Sequence, residues 1–171
     1  MDYKQLLDNV ITPTLHKLGF HSVAAEQLIL GTIAQESRAK YLRQFNNGPA
    51  RGLIQMEPAT HKDIYMNYLF YRDDLANKME QFLTVDEINF GSELSRDEAI
   101  EYVADSSLVF NLAYQVAMCR VHYLRTPEAL PGAYDLGSMA EYWKKYYNTE
   151  LGAGTVEEFI EHFPTGIWDM K

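Results

Sequence analysis

Cysteine is nearly missing from this chain: Cys119 is the single one in 171 residues. One thiol excludes an intrachain disulfide and a zinc site built on several thiolates. Cys119 lies in the apolar run Val116-Ala117-Met118-Cys119 and reads as a small buried hydrophobe. Positive charge is scarce as well. Lys and Arg number 15 against 24 Asp and Glu, a formal charge of −9. At that balance no strongly basic surface dominates, and a nucleic-acid partner is not expected. No apolar run is long enough to span a bilayer, so membrane insertion is not expected either. The first residues, Met1-Asp2-Tyr3-Lys4-Gln5, are polar and lack the basic start and apolar stretch of a secretory signal. The expectation is a chain that folds in a cytoplasm and needs release or a carrier to work elsewhere. There is no P-loop, dinucleotide fingerprint or nucleophile elbow, and no repeat or low-complexity linker. His61-Lys62-Asp63 lacks metal-site spacing, and Glu158 with His162 supplies only two ligands. No metal and no cofactor is called for.

Apolar residues make up 47% and charged residues 23%, the balance of a soluble globular domain and not of a disordered chain. The length suits one domain. Its pattern is helical. Leu6, Leu7, Val10, Ile11, Leu15 and Leu18 recur at helical spacing before Gly19, with Pro13 bending or splitting the run. Ser22 caps a stretch over 23–36 that is apolar on most sides, hence central and buried. Helix is expected again over 60–83, 104–125 and 138–147. Thr84 with Glu87, Ser95 with Glu98 and Thr155 with Glu158 fit the capping box and predict starts near 85, 96 and 156. Residues 37–60 carry Asn46-Asn47-Gly48-Pro49, Gly52 and Pro58, and read as a long loop or a small irregular β element around 40–57. The fold class is therefore all-α, with roughly seven to nine helices in one domain.

The segment Gly31-Thr32-Ile33-Ala34-Gln35-Glu36-Ser37 puts a carboxylate at the end of the most apolar helix in the first third of the chain. If Glu36 faces a cleft floored by that helix, desolvation raises its pKa. A carboxylic acid kept protonated near neutral pH is what cleavage of a glycosidic bond needs, because the leaving oxygen must receive a proton. The alternative is a carboxylate turned to solvent. Glu57 and Asp63 are the nearby candidates for a second acid, which an inverting hydrolase requires across the cleft.

Glu36-Ser37, then Gly52-Leu53-Ile54-Gln55, then Pro58-Ala59-Thr60 stand in an order and spacing that resemble the soluble lytic transglycosylases, a family related to goose-type lysozyme. Ile54 stands where the family usually has Met. Asn111 through Tyr123-Leu124 is similar to a further family helix. The third motif is loose: Tyr147-Asn148 is retained, and the following Gly comes late, at Gly152. Ala113-Tyr114-Gln115 is a rival counterpart but falls too early. The resemblance covers about residues 20–150.

What the resemblance implies is a single lysozyme-like domain over 1–171: an N-terminal helix in 1–19, the family-like core in 20–150 and a C-terminal extension in 151–171. It implies cleavage of the β-1,4 bond between N-acetylmuramic acid and N-acetylglucosamine in peptidoglycan strands. Glu36 is then the sole acid and base, and the muramyl 6-hydroxyl closes a 1,6-anhydro end. Ser37, Gly52, Leu53, Gln55, Tyr147 and Asn148 are the implied substrate-binding residues. Gln55 offers an amide donor and acceptor, Gly52 a close backbone approach, and Tyr147 a hydrogen bond to Glu36. The plainer alternatives are a loop residue for Gln55, a core aromatic for Tyr147 and a polar helix end for Ser37. One or two aromatics are expected to line the cleft, and Trp168 to anchor packing. Similar domains are common in bacteriophage, as released endolysins or virion parts, so a larger virion assembly is an expected partner. That suits a charge of −9, which gives no long-range attraction to an anionic wall. A hydrolytic lysozyme and an inactive wall-binding or structural module are the competing readings.

Overall fold

The computed structural model describes residues 1–149 and 152–168, and these are predominantly helical. Helix α1 (Tyr3–Leu6) runs through one wide π-helical segment, Leu7–Ile11, into α2 (Thr12–Leu18). Pro13 sits in the first turn of α2, where its missing N–H matters least, and the wide turn before it absorbs the disruption. Gly19 ends α2 at φ 82°, a left-handed position. Helix α3 (Val23–Ser37) starts where Ser22 accepts from the Ala25 N–H at 3.1 Å. It is buried along almost its whole length, as its apolar composition requires.

Two expected helices are broken. The stretch 60–83 divides into α4 (Pro58–Asn67) and α5 (Asp73–Glu80), because Tyr68 and Arg72 leave the helical region with φ −138° and −143°. The Tyr68 hydroxyl donates to the Leu124 carbonyl at 2.9 Å, and Leu69 is fully buried, so tertiary contacts hold the break. After α6 (Val85–Gly91) and α7 (Arg96–Asp105), the stretch 104–125 divides into α8 (Ser107–Phe110) and α9 (Leu112–Leu124). The buried Glu87 carboxylate accepts from the Ser107 N–H at 2.9 Å and from its hydroxyl at 2.8 Å, which fixes a new helix start at Ser107. Asn111 then caps α9 through the Tyr114 N–H at 3.0 Å. All three expected capping boxes form.

Helix α10 (Leu136–Trp143) follows, continuing into a π-helical turn over Lys144–Asn148, and α11 (Val156–His162) is the last α-helix among the described residues. The expected β element is reduced to isolated bridges, Arg43 with Arg51 and Arg51 with Met56. The core gathers around α3, α9 and α10. Helix α11 belongs to it: a Cβ at Gly31 of α3 would lie 2.4 Å from the Phe159 ring. The expected boundary between core and extension falls at Glu150 and Leu151, outside the described residues. Trp168 packs on Phe163 with ring centroids 6.2 Å apart. Among the described residues no helix is long and apolar enough to cross a membrane.

Candidate active site

Helix α3 carries Glu36 to its final turn. The chain then reverses through Arg38 and Ala39, both at φ 52°. Two consecutive non-glycine residues in that region are unfavourable, and buried Ala39 holds them in place. The reversal leaves the Glu36 side chain at a cleft of about 860 Å³. That size is within the usual range of small-ligand sites.

Burial pushes the Glu36 carboxyl up to about 7, and one hydrogen bond, from the Trp143 indole nitrogen at 3.0 Å, opposes the rise. The C-terminal end of a helix carries partial negative charge, which also disfavours a carboxylate there. Trp143 is itself fully buried at the end of α10, stacked obliquely on Phe159 at 5.3 Å. A buried indole N–H needs an acceptor, and Glu36 is that acceptor. Gly154 passes so close that a Cβ there would lie 2.6 Å from the Trp143 ring.

The turn Gly52–Gln55 brings Gln55 to the cleft. Gly52 at φ 71° has no room for a side chain, since a Cβ would lie 2.4 Å from the Leu108 carbonyl oxygen. Its glycine is thus required by packing against α8 and α9, where closeness to a ligand was expected. Buried Gln115 holds the turn: its carbonyl oxygen accepts from the Leu53 N–H at 2.8 Å, and its amide donates to the Val109 carbonyl at 2.9 Å. Gln55 lines the cleft with Glu36, at φ 46°. Its amide nitrogen donates to the Gly52 carbonyl at 2.8 Å. Its carbonyl oxygen has no hydrogen bond among the described residues.

Tyr147 and Asn148 also line the cleft, so the loose third motif reaches the same place as the first two. The Tyr147 hydroxyl donates to the Ile54 carbonyl at 2.8 Å, so the expected bond to Glu36 is replaced by one that ties the Gln55 turn to the end of α10. Asn148 accepts from the Lys144 ammonium at 2.8 Å. Three expected binding residues lie apart, Gly52 at its packing contact and two others. Ser37 is buried, donating to the Ile33 carbonyl at 3.3 Å and accepting from the Ala39 N–H at 3.2 Å, so it finishes the helix. Leu53 is a core residue.

Of the candidate second acids, Glu57 lines the cleft at the start of α4. Asp63 does not. The Asn67 amide, and after it the Arg125 guanidinium, hold its carboxyl below the usual range.

Three contributors escaped the sequence reading. Trp143 was detectable as the last member of the apolar set Leu136, Met139, Ala140 and Trp143, though nothing in that spacing pairs it with Glu36. His122 lines the cleft edge-on to Tyr147 at 4.8 Å. Its Nε2 faces the Tyr146 carbonyl at 2.9 Å, and burial pushes its pKa down. Gln115 stood out only as part of Ala113-Tyr114-Gln115, the rival third motif, with no role in holding the Gly52–Gln55 turn. Cys119 is buried, and burial pushes its thiol far up, in keeping with a packing role. Among the described residues no three His, Cys, Asp or Glu side chains converge. Compared with family models, curated proteins and solved structures, the chain has no significant match.

Proposed function

We propose that this chain is a lytic transglycosylase that cleaves peptidoglycan glycan strands, with Glu36 as its single acid and base. The observation that carries the reading is a carboxyl raised to about 7 in an open cleft, anchored by an indole donor. At neutral pH such a group is populated in both protonation states. It can give its proton to the bridging oxygen and afterwards take one from the 6-hydroxyl of the muramyl unit. The two roles alternate on one side chain, so the first proton out is matched by the second proton in. Among the described lining residues Gln55 and Asn148 supply amides for sugar hydroxyl or acetamido groups.

The test is mass analysis of fragments released from purified sacculi. Transglycosylation predicts 1,6-anhydro ends, lighter by one water than hydrolytic ends. Glu36→Gln is expected to release none. Release by Glu36→Gln at the native rate rejects the assignment.

One observation favours hydrolysis as a second reading: Glu57 lines the same cleft. A second carboxylate is what a hydrolase uses to activate water. Under that reading Glu57→Gln abolishes cleavage and the native products carry reducing ends. Under the single-acid reading Glu57→Gln still yields anhydro ends.

A further inference from the structure

Beyond Glu36 and its amides, the cleft has a conspicuous apolar rim. Phe45 is 64% exposed and Tyr41 is 39% exposed, and both line the cleft that holds Glu36. Their rings meet edge to face with centroids 4.4 Å apart, at 63°. Exposing a phenyl ring to water is unfavourable, and the loop that does so is firmly built. The Gln44 N–H donates to the Ala50 carbonyl at 3.1 Å, and the Gln44 side-chain oxygen accepts from the Ala50 N–H at 3.2 Å. The Gly48 N–H closes back on the Phe45 carbonyl at 3.1 Å. Arg51 ties the base of the loop to Asp105 at 3.3 Å. Between them Asn46 and Asn47 both adopt left-handed backbone, at φ 54° and 58°. Collapse of Phe45 onto the core would relieve exposure, yet these bonds hold the ring outward at the cleft.

We propose that Phe45 and Tyr41 form a stacking subsite for the apolar face of an uncharged pyranose ring in the glycan strand that reaches Glu36. This rests on the glycan-cleaving reading above. The ligand class follows from the lining. A pyranose presents axial C–H groups on its faces and hydroxyls at its edge. Aromatic faces match the first and amides match the second. Asn46, next to Phe45, lines the cleft and supplies such an amide. No Lys or Arg stands among the described lining residues, while Glu36 and Glu57 do. An anionic ligand therefore finds no counter-charge there, whereas a neutral N-acetylhexosamine meets no repulsion. An apolar peptide segment is the rival occupant of an aromatic rim, but it would leave the adjoining amides to water.

The test uses the full chain carrying Glu36→Gln, so that nothing is consumed, titrated with N-acetylglucosamine tetramer. Binding is followed by calorimetry and by NMR shifts of the Phe45 and Tyr41 rings. We expect saturable binding, ring shifts at both residues, and about tenfold weaker binding when Phe45→Ala is added. Phe45→Trp is expected to restore it, since a larger face stacks at least as well. Phe45 is a surface residue, so an unchanged thermal transition in Phe45→Ala separates a lost contact from lost folding. Equal affinity with and without Phe45→Ala overturns the subsite, as does absence of tetramer binding at millimolar concentration. Failure of the parent reading has a different signature: cleavage by Glu36→Gln or by neither protein, with the ring shifts and the Phe45 dependence intact.

Discussion

The Trp143 indole nitrogen and Glu36 Oε1 lie 3.0 Å apart, joining α10 to the last turn of α3. The bond gives a buried donor its acceptor and sets one oxygen of the carboxyl in place, leaving the other for the cleft. In the proposed reaction Trp143 is a positioning residue, acting through Glu36. With Trp143→Phe the group loses the hydrogen bond that opposes the rise, and its pKa is expected to rise above about 7. The alkaline limb of kcat/KM on sacculi should move to higher pH. A purely structural role would lower the rate without moving that limb.

Glu36 itself links activity and stability to pH in a defined direction. The proposed cleavage needs the protonated form, so kcat/KM is expected to fall as pH rises through about 7. For stability, the folded carboxyl binds its proton more tightly than the unfolded one, whose ordinary value is 4.5. The extra stabilisation is complete below about 4.5 and is lost as pH rises to about 7. The loss amounts to about 3 kcal/mol at most. Glu36→Gln keeps the acceptor for Trp143 and cannot ionise. It should therefore unfold at a higher temperature than the native chain at pH 8, with little difference at pH 4. Calorimetric scans at the two values check this.

Glu87 has the opposite sign. Burial pushes its carboxyl up, but hydrogen bonds from Ser106, Thr84 and Ser107 outweigh it and hold the group below the usual range. Its contribution is present above the ordinary carboxylate pKa and disappears as pH falls through the folded value. Glu87→Gln should destabilise the chain by about 1–3 kcal/mol at pH 7 and by less at pH 3. Urea unfolding at both values reads the difference. An equal loss at each pH would mean that shape, and not charge, matters at this position.

Gly52→Ala places a methyl group 2.4 Å from the Leu108 carbonyl oxygen and 2.7 Å from the Gln115 amide carbon, at φ 71°. The strain and the overlap together should lower stability by about 2–4 kcal/mol, seen in the denaturation midpoint. Gln115→Leu tests the same turn from the other side. It strands the Leu53 N–H and the Val109 carbonyl in the interior. A comparable loss is expected, with KM for glycan rising as Gln55 shifts.

Much of the helical layout was legible because it rests on local chemistry. Ser22, Thr84, Ser95 and Thr155 each begin a helix through a hydrogen bond three residues long, which spacing alone reveals. The breaks at Tyr68 and Ser106 were not legible. Each is held by partners far along the chain, Leu124 for one and Glu87 for the other. The candidate site divides in the same way. Glu36, Gln55, Tyr147 and Asn148 were singled out from motif order, and all four line one cleft. Ser37, Gly52 and Leu53 belong to the same motifs but turn to the backbone and the core.

The amino-acid sequence by itself determined the helical class, the capped helix starts and the choice of Glu36 as the carboxyl to watch. Caps and apolar periodicity act over a few residues, and a carboxylate ending an apolar helix is visible in one line of text. Only the tertiary structure decided which groups surround that carboxyl. Trp143 stands 107 positions from Glu36, and Gln115 stands 62 from the turn it holds. Desolvation and long-range hydrogen bonds depend on what the fold brings alongside, and the order of residues does not encode distance in space.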